Sequence, residues 1–558
     1  MGNVRRFLNR YIWVGIIALF IPVSWALFVP GFYGASDDIH IAWLYEFHKT
    51  VLMGKFPPRF VPDLSFGFGY PLFNFVFSLL FYIAEIIHLL SLSLVDSIKA
   101  LFFISIPLSF VFMYCLLRQF SSVSLSLAGA VLYIYTPYRA LDLYIRGAIG
   151  EIVSFIFLPL IILSVYKLGE PKLRWVGIGA SALAFLILSH NITAYMFLPF
   201  VTLLLLIRFL TSPTKGLFFK KSILMILLGL FTSIYFWLPA VIESKLMSYD
   251  TVFNFADHYP TILQLVTPYW GYGASVPGPG DGMSFFLGTV NILVLVVAFL
   301  LTVIFWKKFQ EKVKTMLIWI FICLGVAFFL MNYRSLVIWN SIPLLPYFQF
   351  PWRFLILTTF AIPLLLIVFD KLRFKPLIAA VIITLTIITS AAYFRPEDFL
   401  GRGDDYFLNR YIPIPIASEA YLGTQEEYLR LPRNTEKRPD KNYPLVSAEA
   451  DVIKKIKRIN DLDILITVES TSGAAINYSK YFFPGWVAKI NGQQTNIVVG
   501  KPFGQITVNI PAGNHTVEIT FEETNFRKFL NAISLLSFLV SLGLIKSLRL
   551  QYSNSLKK

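Results

Sequence analysis

The sequence predicts an all-α polytopic membrane protein with about 12 transmembrane helices, interrupted before the last helix by a β-rich extracytoplasmic domain. Hydrophobic residues make up 56% of the 558 residues and charged residues only 14%, a composition that would aggregate in water. Apolar runs of membrane-spanning length recur along the chain, and one long interval lacks them. The predicted domains are a transmembrane domain, 1–393, a β-rich domain, 394–526, and a final helix with a cytoplasmic tail, 527–558.

Each predicted span is an apolar run of roughly bilayer length. The runs lie at 11–30, 96–117, 121–136, 148–167, 173–189, 191–210, 218–240, 284–306, 313–331, 352–369, 374–393 and 527–547. The first run follows a basic flank and lacks a small-residue cleavage site, so we expect it to stay uncleaved.

The apolar run 71–91 is ambiguous, and the basic loops decide its placement. Lysine and arginine favour cytoplasmic loops. If 71–91 stays on the outer face, every basic cluster falls inside with both termini, whereas a crossing would turn the later clusters outward. We therefore expect a juxtamembrane or re-entrant helix pair within an outer first loop, 31–95, and an active site on the outer face of the cell membrane. An ordinary span is the alternative.

Charge and cysteine content exclude several classes of function. The net charge is +16, but the basic residues fall in small groups between apolar runs, so the bilayer and not nucleic acid is the predicted partner. Cys115 and Cys323 lie inside apolar runs, which leaves no disulfide framework or cysteine metal site. No Walker loop, dinucleotide fingerprint, HExxH or GxSxG motif stands in a suitable context.

The interval 394–526 contains the β signal. Its second half alternates polar and apolar residues in DILITVES, GQITVNI and HTVEITFEE, with turn residues between them. This pattern predicts a small antiparallel sandwich with Trp486 in its own core. The first half, about 400–445, is expected to be irregular.

Two adjacent acids, Asp37 and Asp38, follow the first apolar run in GASDDIH. Apolar spacing after them predicts a helix, so both acids lie at its N-terminus. One alternative is a helix cap, and the other is a catalytic or metal-binding carboxylate. We favour Asp38 as the base or metal-associated carboxylate because it lies deeper into the helix, with Asp37 as its orienter or second ligand.

Three arginines on the predicted outer face are candidates for binding a phosphate. Arg139 and Arg146 lie in YTPYRALDLYIRGAIGE, where Glu151 begins the next span, and arginine forks near a helix N-terminus suit phosphate. The alternative is a set of ion pairs that stitch the loop. Arg353 begins a span on the face where arginine is disfavoured, so it either meets a ligand or snorkels to headgroups. His190 is either a supporting site residue or an interhelical hydrogen-bonding residue.

These motifs together resemble the GT-C superfamily of integral-membrane glycosyltransferases. More closely, they resemble the YfhO-type bacterial proteins and the membrane proteins labelled 6-pyruvoyl-tetrahydropterin synthase-related. The matching stretches are SDDIH, FGFGYPLF, YTPYRALDLYIRGAIGE, LSHNITAY, FQFPWRF, YFFPGWVAKINGQ and IPAGNHTVEITF. The resemblance implies a polyprenyl-phosphate-linked sugar donor, an extracytoplasmic acceptor, and a catalytic or metal-associated carboxylate at Asp37 or Asp38. The sequon-recognition motif of oligosaccharyltransferases has no equivalent here, and the histidines lack the zinc-triad spacing of pterin synthesis.

The chemistry of sugar transfer suits these residues. A lipid phosphate is an acidic leaving group, so one base and some cations suffice. We expect Asp38 or Asp37 to take the acceptor proton and the arginines to stabilise the departing phosphate, with a divalent ion such as Mg²⁺ or Mn²⁺ as an optional partner. The alternatives are a transporter of lipid-linked sugar or polysaccharide and a non-catalytic membrane scaffold. A transporter would bind near the midplane, whereas these candidates lie at the outer ends of spans.

Overall fold

The computed structural model describes residues 15, 17–248, 254–448 and 452–546. Within these residues, eight single helices are long and apolar enough to cross a membrane. A ninth span results if Lys215–Thr232 and Ile234–Leu246, which meet at a bend of 66°, are counted as one. The eight helices are Leu94–Leu117, Ile149–Lys167, Asn191–Thr211, Thr289–Lys308, Glu311–Leu330, Pro351–Lys371, Lys375–Tyr393 and Asn525–Lys546.

The predicted count of twelve spans is not confirmed. The predicted run 121–136 forms the helix Val123–Ile134, and the run 173–189 forms Arg174–Ser189. At the usual rise per residue these helices are about 18 and 24 Å long, short of the roughly 30 Å hydrocarbon core. The first run included four residues outside its helix, whereas the second run matches its helix within one residue and was itself too short for a full span. The predicted first span, 11–30, begins outside the described residues. Both predicted cytoplasmic termini also lie outside them.

The run 71–91 forms two short helices, Leu72–Phe75 and Leu79–His88. The longer one measures about 15 Å, half of what a span needs. Its Phe81 ring lies 6.1 Å from Phe47 of the preceding helix, His40–Leu52. The first loop is thus a packed helical layer.

The remaining helical segments are mostly short and lie in loops. The α-helices are Ile21–Ser24, Pro137–Leu141, Ile234–Glu243, Ile262–Val266 and Leu336–Ser341, with a π-helical turn at Asp142–Arg146. The 3-10 segments outside the spans are Trp25–Phe28, Ser244–Leu246, Phe255–Asp257, Tyr333–Ser335 and Leu345–Phe348.

The loops gather at two opposite ends of the helices. At one end the basic loops contact each other, because Lys312 Nζ donates to the Gln119 carbonyl at 3.5 Å and the Ser122 N–H to Asp370 at 3.0 Å. The first loop lies at the other end. This grouping agrees with the predicted alternation of the loops between the two ends of the helices. The side of the membrane that each end faces stays a prediction.

The span Pro351–Lys371 lies at the centre of the helical domain. The whole of its most apolar window is buried, against 22% for Lys375–Tyr393 and for Asn525–Lys546. The two outer spans therefore present most of their surface to lipid. The central span begins close to Arg353, which places that arginine inside the protein and not at its rim.

Among the described residues after 445, nine strands form two antiparallel sheets, which confirms the β-rich domain. The strands are β1 Val446–Ser447, β2 Ile453–Arg458, β3 Asp463–Ser470, β4 Ala474–Tyr481, β5 Trp486–Ile490, β6 Gln493–Thr495, β7 Val498–Val499, β8 Gln505–Ile510 and β9 Gly513–Phe521. The sheet orders are β1-β4-β8-β7 and β2-β3-β9-β5-β6. In β3 the alternation predicted from the sequence buries Ile464, Ile466 and Val468.

The sequence predicted that the interval 400–445 is irregular, but part of it is helical. It contains the helices Asp404–Tyr411 and Glu419–Leu422. Asp404 and Asp405 lie in the first turn of their helix, where they oppose the helix dipole. The first helix also caps a membrane span, since the Asp404 carboxylate accepts the N–H groups of Leu94 and Val95 at 2.9 Å each.

The sandwich is fixed to the first loop by buried charges. Lys49 of the helix His40–Leu52 pairs with Asp461. Asp461 belongs to the interval 394–526 between the last two spans, which we call the insertion. Lys480 Nζ donates to the carbonyls of Pro62 at 2.8 Å and Gly67 at 2.7 Å. The insertion therefore packs against the first loop.

The core of the sandwich is shared with the first loop. Trp486 packs against Tyr478 at 5.6 Å and Phe521 at 5.3 Å, both within the sandwich. Phe60 of the first loop lies 5.5 Å from the same indole. The expectation that Trp486 belongs to a core of the domain alone is wrong, because an aromatic ring from the first loop completes it.

Candidate functional site

A cavity of about 320 Å³ lies where the first loop meets the starts of the inner spans. Its wall includes Asp37, Arg146, Glu151, His190 and Arg353. These side chains come from four separate parts of the chain. Five of the seven predicted site residues thus surround one space.

Backbone hydrogen bonds hold Asp37 beside Arg146. The Asp37 N–H donates to the Arg146 carbonyl at 2.7 Å, and the Ser36 N–H donates to the Ile145 carbonyl at 3.0 Å. The loop turns at Gly147, which adopts a φ of 67°, a left-handed conformation that favours glycine. This pairing brings the first-loop acid to the start of the span Ile149–Lys167.

Asp38, the acid favoured from the sequence, does not line the cavity. The Tyr411 hydroxyl donates to its Oδ1 at 2.5 Å, and Arg402 lies 3.8 Å from its Oδ2. The residue is 6% exposed, and burial raises the pKa of the Asp38 carboxyl above its usual value. Both acids lie in the turn that precedes the helix His40–Leu52, and of the two it is Asp37 that lines the cavity.

Arg139 also lies away from the cavity wall. Its Nη1 donates to Ser109 Oγ at 2.9 Å, and its guanidinium lies over the rings of Tyr133 at 5.2 Å and Phe155 at 4.9 Å. The side chain is 2% exposed. These contacts give Arg139 the role of a packed interhelical cation as the structure stands.

Arg146 is held by two carboxylates. Its Nη1 donates to Glu151 at 2.9 Å and contacts Asp142, while the Tyr138 hydroxyl donates to the other Glu151 oxygen. Burial opposes the charge of Arg146, but Glu151 and Asp142 outweigh it and raise the pKa of the guanidinium well above its usual value. The alternative interpretation, in which Arg146 forms ion pairs within its own loop, is therefore correct for these contacts.

Arg353 differs from Arg146 because no described carboxylate hydrogen-bonds it. Its Nη1 donates to the Phe348 carbonyl at 3.3 Å, and its Nε has no hydrogen-bond partner among the described residues. The guanidinium lies 5.5 Å from the Phe350 ring and 6.0 Å from the Trp352 ring. A buried cation without a paired anion is costly. Arg353, at 8% exposure, is thus poised to bind an anion in the cavity.

His190 caps the helix Asn191–Thr211 through its ring. Its Nδ1 accepts the Thr193 N–H at 3.3 Å and lies 2.7 Å from Thr193 Oγ1. Because Nδ1 is an acceptor, the ring proton of the neutral form sits on Nε2. Burial lowers the pKa of His190 to about 3, so the ring is neutral near pH 7.

Several cavity residues were missed from the sequence. They are His40, Trp43, Phe77 and Tyr428. His40 Nδ1 donates to the Asp37 carbonyl at 2.6 Å, and His40 and Trp43 follow that acid at helical spacing, a signal that was available. Tyr428 gave no such signal, because it reaches the cavity only through the packing of the distant insertion against the first loop.

The carboxylates near the cavity do not form the predicted metal site. Both oxygens of Glu151 accept hydrogen bonds from the protein, and Asp38 accepts one from Tyr411. Asp37 is then the carboxylate left to face a ligand. In the part of the chain that the structure describes, no three His, Cys, Asp or Glu side chains group to hold a metal ion. The expected pairing of Asp37 and Asp38 around a divalent ion is therefore not formed.

Comparisons with known proteins give little further information. No protein-family model matches the chain, and no curated protein matches it. Among solved structures, the chain is similar to the oligosaccharyltransferase of Archaeoglobus fulgidus, crystallised with Zn and sulfate, at 14% identity and a TM-score of 0.41. The match covers 68% of this chain and 53% of that one, so the chain spans about half the length of that protein. A likeness this distant assigns no activity, and the resemblance to GT-C and YfhO-type proteins stays a prediction.

Proposed function

We propose that the protein is a membrane glycosyltransferase that moves a sugar from a polyprenyl-phosphate donor to an acceptor hydroxyl outside the cytoplasm. The observation that carries this proposal is Arg353, a buried guanidinium that no carboxylate of the described residues hydrogen-bonds, in the same cavity as the carboxylate of Asp37. One cation for a phosphate and one carboxylate for a hydroxyl are the groups that this reaction needs.

The leaving phosphate is stabilised by the guanidinium groups. As the bond between the sugar anomeric carbon and the phosphate oxygen breaks, its electron pair moves onto the phosphate. Arg353 meets the developing charge with N–H donors in a water-poor site, where such an interaction is strong. Arg146 adds to the field of the cavity while its ion pair with Glu151 keeps it in place.

Asp37 acts on the acceptor. Its carboxylate takes the hydroxyl proton as the acceptor oxygen bonds to the anomeric carbon, and it then releases that proton to water. His40 holds the backbone at Asp37 through its hydrogen bond to the Asp37 carbonyl. No protein acid is needed for the leaving group, because a lipid phosphate departs as an anion.

The insertion forms part of this site. Tyr428 lies in the cavity wall, and Tyr411 binds Asp38 next to the catalytic carboxylate. We assign the insertion the role of closing the cavity that holds the donor.

The test is to incubate the purified protein with a panel of polyprenyl-phosphate sugars and to measure release of the lipid phosphate. We expect release with at least one donor, and an Arg353→Gln variant should release much less. Flux of an intact donor across vesicles without cleavage would support the transporter instead. Binding of donor with neither cleavage nor flux would support the scaffold.

A further inference from the structure

We infer that the donor phosphate is held by N–H groups of the protein alone, those of Arg353 and His190, and that sugar transfer needs no divalent cation. This inference rests on the proposed function and specifies how its phosphate site works. It replaces the metal expected from the sequence with fixed donors.

The first argument is the shortage of metal ligands. Both Glu151 oxygens already accept hydrogen bonds from Tyr138 and Arg146, and Asp38 is turned to Tyr411. Mg²⁺ prefers oxygen ligands in octahedral geometry. Asp37 offers one carboxylate, and the Arg353 guanidinium in the same wall repels a dication.

The second argument is an excess of hydrogen-bond donors. Arg353 lines the cavity, and no described carboxylate hydrogen-bonds its guanidinium. Its Nε–H and the Trp43 Nε1–H are fully covered by protein and have no partner among the described residues, which is costly for buried donors. A phosphate that enters the cavity brings a negative charge and several acceptor oxygens to this cation.

The third argument is the fixed orientation of His190. Because Nδ1 accepts the Thr193 N–H, the neutral ring carries its proton on Nε2. His190 is 8% exposed and lines the cavity, and its ring stands edge-on to Phe77 at 5.7 Å. A neutral imidazole with one fixed N–H is a donor whose state does not change near neutral pH.

Gly150 makes room for this arrangement. A Cβ at that position would lie 2.9 Å from His190 Cδ2, from Phe77 Cζ and from the Ser189 carbonyl oxygen. Real Cβ contacts are almost never so short, so a side chain at residue 150 would displace the imidazole. The start of the span Ile149–Lys167 is thus shaped around the His190 ring.

The test compares binding and transfer with and without metal. Binding of farnesyl phosphate is measured by calorimetry in EDTA and then with added Mg²⁺ or Mn²⁺. We expect the same affinity in all three conditions, and transfer by the wild-type protein that EDTA does not reduce. Binding or transfer that requires the metal would overturn the inference while leaving the glycosyltransferase proposal intact. A wild-type protein that releases no lipid phosphate under any of these conditions would overturn both.

The variant His190→Asn tests the imidazole donor. Asparagine caps helices well, so the fold should persist while the Nε2–H is lost. We expect farnesyl phosphate to bind about 10- to 100-fold more weakly, as is typical for a lost hydrogen bond to a charged group. The control is His515→Asn in the sandwich, which should bind as the wild type does. Unchanged affinity in His190→Asn would remove His190 from the phosphate site.

Discussion

Exchanging each first-loop acid for asparagine should give two different outcomes. Asp37 faces the cavity, so Asp37→Asn should lower the transfer rate by about 100- to 10,000-fold, the usual loss for a positioned base. Asp38 bonds to Tyr411, and asparagine retains an oxygen that accepts this hydroxyl. Asp38→Asn should therefore transfer sugar near the wild-type rate.

The effect of Asp38→Asn on stability follows from its contacts. A hydrogen bond to a charged group contributes about 1 kcal/mol more than a neutral one, and that difference is what the asparagine loses. Burial of the carboxylate opposes its charge and offsets part of this loss. We expect the free energy of unfolding to fall by about 1 kcal/mol or less. Asp38→Ala should cost about 1–3 kcal/mol, because it leaves the Tyr411 hydroxyl buried without an acceptor.

The assay is single-turnover sugar transfer by detergent-purified protein, with thermal unfolding of each variant measured in parallel. Refutation would be an Asp38→Asn protein that unfolds at the wild-type temperature but loses transfer as severely as Asp37→Asn. In that case the Asp38 side chain reaches the substrate, and its bond to Tyr411 does not persist during turnover.

Three further predictions concern cavity shape, buried charge and topology. Gly150→Ala should weaken farnesyl phosphate binding because its Cβ meets three atoms at 2.9 Å, whereas Gly169→Ala, with nothing within 4 Å, should bind normally; equal affinities would contradict the cavity assignment. Burial lowers the pKa of Lys480 from 10.5 to about 8, so the unfolded chain binds more protons between these values and stability should rise with pH across that window. Thermal unfolding of Lys480→Met should lack this rise, and an identical pH dependence would show that the lysine is not buried. In a cysteine-free background, Ser93→Cys should react with a membrane-impermeant reagent in intact cells, and reaction only after permeabilisation would reverse the predicted orientation.

The long apolar spans and the alternating strands could be predicted from the sequence because each is a periodic local signal. The strand β3 shows this well, since its alternation buries Ile464, Ile466 and Val468 as predicted. The run 121–136 was taken for a span because hydropathy does not mark where a helix stops, and the run 173–189 was taken for one although its helix, Arg174–Ser189, has only 16 residues. The bend of 66° lies at Ser233, whose Oγ donates to the Gly229 carbonyl at 3.0 Å, and hydropathy alone did not mark it.

The candidate site was predictable in its members but not in their orientation. Asp37, Arg146 and Arg353 stood out as polar groups next to apolar runs. Which of two adjacent acids faces the cavity depends on the start of the helix at His40, and sequence patterns locate helix ends poorly. The contribution of Tyr428 depends on tertiary docking of the insertion, for which no local pattern exists.

The docking of the sandwich on the first loop also determines when the protein is completed during its synthesis. Lys55 and Asp463, which pair at 2.6 Å, are 408 residues apart, and Lys480 is 418 residues from Pro62. A ribosome makes the chain from its N-terminus, so the first loop leaves it long before its partner exists. Phe60 therefore stays uncovered until the sandwich has been synthesised and has folded. A chain that terminates before the sandwich leaves this surface of the first loop without its partner.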